Sequence, residues 1–192
     1  MGSYYYLVSQ LPSLSYGQKP PMSPQAFKEL ARPLLSAEDS ALLDMVSLDL
    51  QPSNKPLSGS DFIDGWREWE RALRLNLARH RAVKSKRESA VTAEPPVIPA
   101  DAPAAALRAM AAMESPLEAE VVLNKARWSA IESLQGIDYF DRNIVFAYLL
   151  KLLILQRHDS FQAEAGFSEY KSLYASILGS AQTGTSRVGE SK

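Results

Sequence analysis

Two histidines, His80 and His158, are the side chains of this 192-residue chain best suited to moving a proton near neutral pH. A general base or metal ligand needs partners, and neither histidine has a second His, a Cys or a carboxylate at metal-ligand spacing. His80 falls beside Trp66, Trp69 and Leu73 and is expected to pack. His158, next to Asp159 at a helix end, is expected to complement the helix dipole. Cysteine is absent, which excludes disulfides, thiolate zinc sites and cysteine nucleophiles. Asp138 and Asp141 would suit an acid and base couple, but both sit between a glycine and a helical run, where capping accounts for them. "GSAQTGTS" at 179–186 imitates a phosphate-binding loop, yet Thr185 stands where the lysine must reach the phosphates and no strand precedes it. The chain is therefore expected to be no enzyme, with no catalytic residue, cofactor or metal site.

Charge patterning is more telling. From Arg71 to Arg87 there are seven basic residues, Arg71, Arg74, Arg79, Arg81, Lys84, Lys86 and Arg87, and no acid. These seven are the candidate partner-binding residues. A solvated helix face explains such a run as readily as a binding surface does. Among binding readings an acidic protein ranks first, then anionic lipid, then nucleic acid. Nucleic acid is not expected as a partner, because the whole chain carries a net charge of only -1.

The elements that must position these groups are helical. Ser23 before Pro24, and Ser36 three residues before Asp39, read as N-caps of two short helices over about 24–34 and 37–48. Phe62, Trp66, Trp69, Leu73, Leu77 and Val83 recur at three- and four-residue steps and predict a long helix over about 61–88. "SAVTAEPPVIPADAP" holds four prolines and reads as an extended linker. A short Ala-rich helix follows it. Ser115-Pro116-Leu117-Glu118 then opens a helix that should end at Gly136, with Leu117, Val121, Asn124, Trp128, Ile131 and Leu134 facing inward. Asp138 or Asp141 should cap the next helix, about 142–157, which is apolar nearly all round and hence central. A last helix is expected over about 160–178, and the polar end after it is expected to be disordered.

The fold class is thus all-α: an N-terminal helical lobe over 1–88, a Pro-rich linker over 89–102, a C-terminal helical lobe over 103–179 and a tail over 180–192. The opening "YYYLVSQL" is ambiguous. Tyr4, Tyr6 and Val8 alternate as in a strand, whereas Tyr4, Leu7, Val8 and Leu11 share a helical face, so a short extended or helical segment packed on the long helices is expected. With 46% apolar and 22% charged residues the composition is that of an ordinary globular chain. The longest apolar run, Ile144 to Leu155, is too short for the roughly 20 residues of a membrane span. No basic-then-apolar leader is seen, and Tyr6 stands where a myristoylation motif wants Ser or Thr.

Two stretches, "SYYYLVSQLPSLSYGQKPPMS" and "SPLEAEVVLNKARWSAIESLQGIDYFDRNIVFAYLLKLLILQRHDSF", resemble when read together the small proteins encoded within bacterial V-type ATPase operons. The tyrosine-rich start, the helix with Leu123, Arg127 and Trp128, and the Tyr139-Phe140-Asp141 turn carry the likeness. That family is distantly similar to the helical C/d subunit of V-type ATPases, although this chain is too short for that subunit's threefold repeat of lobes. The resemblance implies a non-catalytic subunit or accessory of the ATPase, a connector between the central shaft and the membrane rotor ring that supports rotary ion transport. An assembly factor or regulator that binds the soluble sector transiently is the alternative. The implied partners are the shaft and rotor ring. The implied place is cytoplasmic, peripheral at the inner face of the inner membrane.

Overall fold

A computed structural model of the chain describes residues 4–49, 57–84, 104, 116–160 and 173–174. Six α-helices and no strand occur among the described residues: α1 (Tyr5–Gln10), α2 (Pro24–Ala31), α3 (Ala37–Met45), α4 (Asp61–Lys84), α5 (Pro116–Gln135) and α6 (Arg142–Ser160). The chain divides into two compact units, Met1–His158 and Asp159–Lys192. In the second, Asp159 and Ser160 are the end of α6, and Leu173 and Tyr174 are helical and exposed. The expected linker, the Ala-rich helix apart from residue 104, most of the last helix, the tail with its "GSAQTGTS" stretch, and Lys86 and Arg87 lie outside the described residues.

Caps start the helices where polar side chains precede apolar ones. Ser23 Oγ accepts from the Ala26 amide at 3.1 Å, with Pro24 in the first helical position, and Ser36 Oγ accepts from the Asp39 amide at 3.0 Å. Ahead of α4, both oxygens of Asp64 accept from the Ser58 amide, at 2.9 and 3.0 Å. Asp141, rather than Asp138, caps α6, its Oδ1 accepting from the Asn143 and Ile144 amides at 2.9 and 3.2 Å. Gly136 follows α5 with φ +79°, a conformation open to glycine without a Cβ penalty.

Two expected helix ends differ. After Ala31 the chain tightens into a 3-10 turn over Arg32–Leu34, because Pro33 supplies no amide and its ring crowds the preceding turn. Helix α3 stops at Met45, short of 48, and Val46 is extended. The freed carbonyls there meet α4: Trp66 Nε1 donates to the Ser47 oxygen at 3.0 Å, and Arg74 Nη2 to that of Leu48 at 3.0 Å.

Helices from the expected lobes 1–88 and 103–179 contribute to one buried cluster within Met1–His158. Its centre is α6, which buries Val145, Phe146, Leu149, Leu150, Leu152, Ile154 and Leu155. From α4 come Phe62, Ile63, the stacked pair Trp66 and Trp69, and Leu73; from α5 come Leu123, Trp128 and Ile131. Gly65 lets α4 and α5 approach closely, since a Cβ there would lie 3.1 Å from Leu134 Cδ2. Of the expected inward stripe on α5, Leu117 is exposed.

The N-terminal segment takes the helical alternative. On α1, Leu7 is buried while Val8 and, just beyond, Leu11 pack partly buried on the core, as the helical face requires. Three long-range bonds fasten the segment: the Tyr4 amide to the Phe140 oxygen at 2.7 Å, Tyr16 Oη to the Val121 oxygen at 3.0 Å, and Tyr148 Oη to the Pro12 oxygen at 2.9 Å. Burial pushes the Tyr148 phenol up to about 12, which keeps it a donor across the physiological range.

Candidate functional site

A buried charged network among the described residues is one that sequence reading did not single out as a site. Glu70 on α4 and Arg127 on α5, both buried, form a paired contact, Nε to Oε2 at 3.0 Å and Nη2 to Oε1 at 3.1 Å. Arg74 Nε adds a third bond to Glu70 at 2.7 Å. Arg127 Nη1 also reaches Asn124 Oδ1 at 2.9 Å and Glu120 Oε1 at 3.2 Å, and Glu120 in turn meets Arg157 at 2.8 Å. Charges alternate along this chain, so each carboxylate lies between two guanidinium groups. Burial works against the Arg127 charge, but Glu70 and then Glu120 outweigh it and hold its pKa above the usual value. No buried side-chain nitrogen or oxygen among the described residues lacks a hydrogen-bond partner, and the network acts as a clamp joining α4, α5 and α6. The available signal was Asn124 within the inward stripe of α5, with Arg127 beside Trp128 one turn further on.

A second polar cluster lies where the start of the chain meets α3 and α6. Tyr4 Oη donates to Asp39 Oδ2 and accepts from the Ser36 amide at 3.3 Å, while Arg142 Nη1 donates to Asp39 Oδ1 at 3.3 Å. Burial pushes the Asp39 carboxyl up, but the bonds from Tyr4, Ser36 and Arg142 together outweigh burial and hold it below its ordinary value. Beside this cluster opens a cleft of about 380 Å³ whose lining includes Glu38, Asp61, Asp141 and Arg142. Asp141 is shifted the other way, raised by burial against the amides it caps.

Next to the cleft stands an exposed aromatic ridge. The rings of Tyr5 and Phe140 lie 4.7 Å apart, and the Tyr4 to Phe140 backbone bond holds α1 against the turn after α5. Tyr5, Tyr6, Tyr139 and Ile137 are 62%, 68%, 65% and 94% exposed, against a buried Tyr4 and Leu7. Exposed large apolar side chains on α1 and on the turn bonded to it are of the kind protein interfaces use as anchors.

The candidate basic residues do not form one uniform face. Arg74 is engaged with Glu70 and the Leu48 carbonyl. Arg71 and Arg79 are half-buried and Arg81 is exposed, whereas the side chain of Lys84 and all of Lys86 and Arg87 lie outside what is described. His158 sits in the last turn of α6, its ring edge-on to Tyr16 at 5.8 Å; the His80 side chain also lies outside what is described. Among the described residues no group of three His, Cys, Asp or Glu is arranged to hold a metal ion, and no helix is long and apolar enough to cross a membrane.

Comparison with protein-family models, with curated proteins and with solved structures finds no match to this chain.

Proposed function

We propose that this chain is a non-catalytic subunit or accessory of a bacterial V-type ATPase, a connector of the C/d kind between the central shaft and the membrane rotor ring. The observation that carries the reading is a joint one. The two stretches on which the resemblance rests lie over a hundred positions apart, yet they pack on each other through Tyr4 and Phe140, Tyr16 and Val121, and Pro12 and Tyr148. The two stretches thus pack as parts of one body, which supports reading them together. The clamp of Glu70, Arg127 and Glu120 supports the same reading, because a part that transmits torque must resist shear between its helices. The chain would act from the cytoplasmic side as a peripheral component, with no cofactor and no catalytic group.

Isolation of the ATPase from native membranes tests this. The chain is expected to remain after stringent washing at one copy per complex. Substoichiometric recovery, lost on washing, would assign it instead to transient assembly or regulation of the soluble sector. An intact ATPase that never contains the chain, at any stage of assembly, overturns both.

A further inference from the structure

We propose that the end of the molecule built from α1 and the turn after α5 is a docking surface for a protein segment that presents a lysine or arginine flanked by apolar side chains. The ridge and the cleft adjoin, since Tyr4 and Asp141 line the cleft while the rings of their chain neighbours Tyr5 and Phe140 meet at a tilt on the ridge. The ridge is preorganised: the Tyr4 to Phe140 backbone bond and the Tyr4 to Asp39 contact fix it on the body, so little conformational freedom is left to lose on binding. Its exposed tyrosines and Ile137 offer the apolar contact.

Charge decides which occupant fits. The cleft lining holds four carboxylates, Glu38, Asp39, Asp61 and Asp141, against one guanidinium, Arg142. Arg142 is already spent on Asp39 at 3.3 Å and Glu38 at 3.8 Å, and Asp138 adds a further acid in the turn. The surplus is negative, which repels phosphate-bearing surfaces and attracts an ammonium or guanidinium. At about 380 Å³ the cleft has room for several waters of roughly 30 Å³ each, and so for one long cationic side chain in their place. The segment's apolar residues would then lie over Tyr5, Tyr6 and Tyr139.

A benzophenone amino acid placed at Tyr6 or Tyr139 of the full chain, irradiated in the native cell, reads the occupant directly. The cross-linked stretch, identified by mass spectrometry, is expected to hold a lysine or arginine beside apolar residues. A synthetic peptide of that stretch is then titrated against the purified chain. Tyr139→Ser and Asp61→Lys should each weaken its binding about tenfold or more, and Asp61→Lys should also flatten the salt dependence. Glu38→Gln, a milder change on an exposed side chain, provides the same reading should a charge reversal unfold the protein. Cross-links to a second copy of this chain, to lipid, or to a stretch without a basic residue overturn the proposal. So do the absence of any cross-link at both positions and an affinity indifferent to all three variants. A cationic segment from outside any ATPase upholds the docking surface and counts against the assignment above; an ATPase component held through other residues does the reverse.

Discussion

Arg127 is buried and bonded to Glu70, Asn124 and Glu120. Arg127→Met should therefore lower the unfolding free energy by about 3–5 kcal/mol, because it strands Glu70 with less compensation inside the protein. Pairing it with Glu70→Met should recover much of that loss, since the cost lies in the unpaired charge and not in the missing attraction. Urea titration of both variants separates these outcomes. Within the basic run the residues should behave unequally. Arg81→Glu is expected to change stability by less than about 0.5 kcal/mol, as exposed substitutions do. Arg74→Glu, which sets a second acid beside Glu70, should cost about 1.5–3 kcal/mol. Asp39 gives the pH dependence. A carboxyl held below its ordinary 3.8 by native contacts stabilises the fold fully above that value and loses its contribution as pH falls through the lower folded one. The acid limb of the stability curve should thus flatten in Asp39→Asn, measured by thermal melts between neutral and acid pH.

At the scale of elements, the caps were the most legible feature. Ser23-Pro24, Ser36, Asp141 and Gly136 each act through bonds or dihedrals confined to a few neighbouring residues, and such signals survive in a linear reading. The all-α class followed from periodicity, and the central place of α6 from a run apolar nearly all round, for the same reason. Less legible were features set by distant chain. The early stop of α3 depends on Trp66 and Arg74 claiming the carbonyls of Ser47 and Leu48, and the choice of helix for α1 depends on the body it packs against. The candidate site was legible only in part: its tyrosines drew notice, but the meeting of Tyr4 with Asp39 and Arg142 joins three separate segments and leaves no local pattern. Gly65 shows how such a contact can be probed. Gly65→Ala should be near neutral, because a helix gain of about 1 kcal/mol offsets a small displacement of the Leu134 side chain. Gly65→Val should destabilise by about 1–3 kcal/mol, as overpacking does, and guanidinium melts would show the difference.

At the scale of the molecule, a shared core across Met1–His158 implies cooperative unfolding. The tryptophans Trp66, Trp69 and Trp128 report on α4 and α5, so their fluorescence and the far-ultraviolet helical signal should change with coincident midpoints. Separate transitions would mean that the helices before and after residues 89–102 are held together more weakly than the clamp suggests. The fastening of the N-terminal segment also sets the order of events during synthesis. Tyr148, which holds Pro12, follows it by 136 residues, and at about 5–20 residues per second the ribosome needs roughly 7–27 s to supply it. Ser36 and Asp39 can meet Tyr4 early in that interval, but the Phe140 carbonyl and the Tyr148 phenol that complete the docking come only towards its end. A segment docked by residues made so much later stays incompletely covered while the nascent chain grows, and the chain would then depend on chaperones that shelter exposed apolar segments.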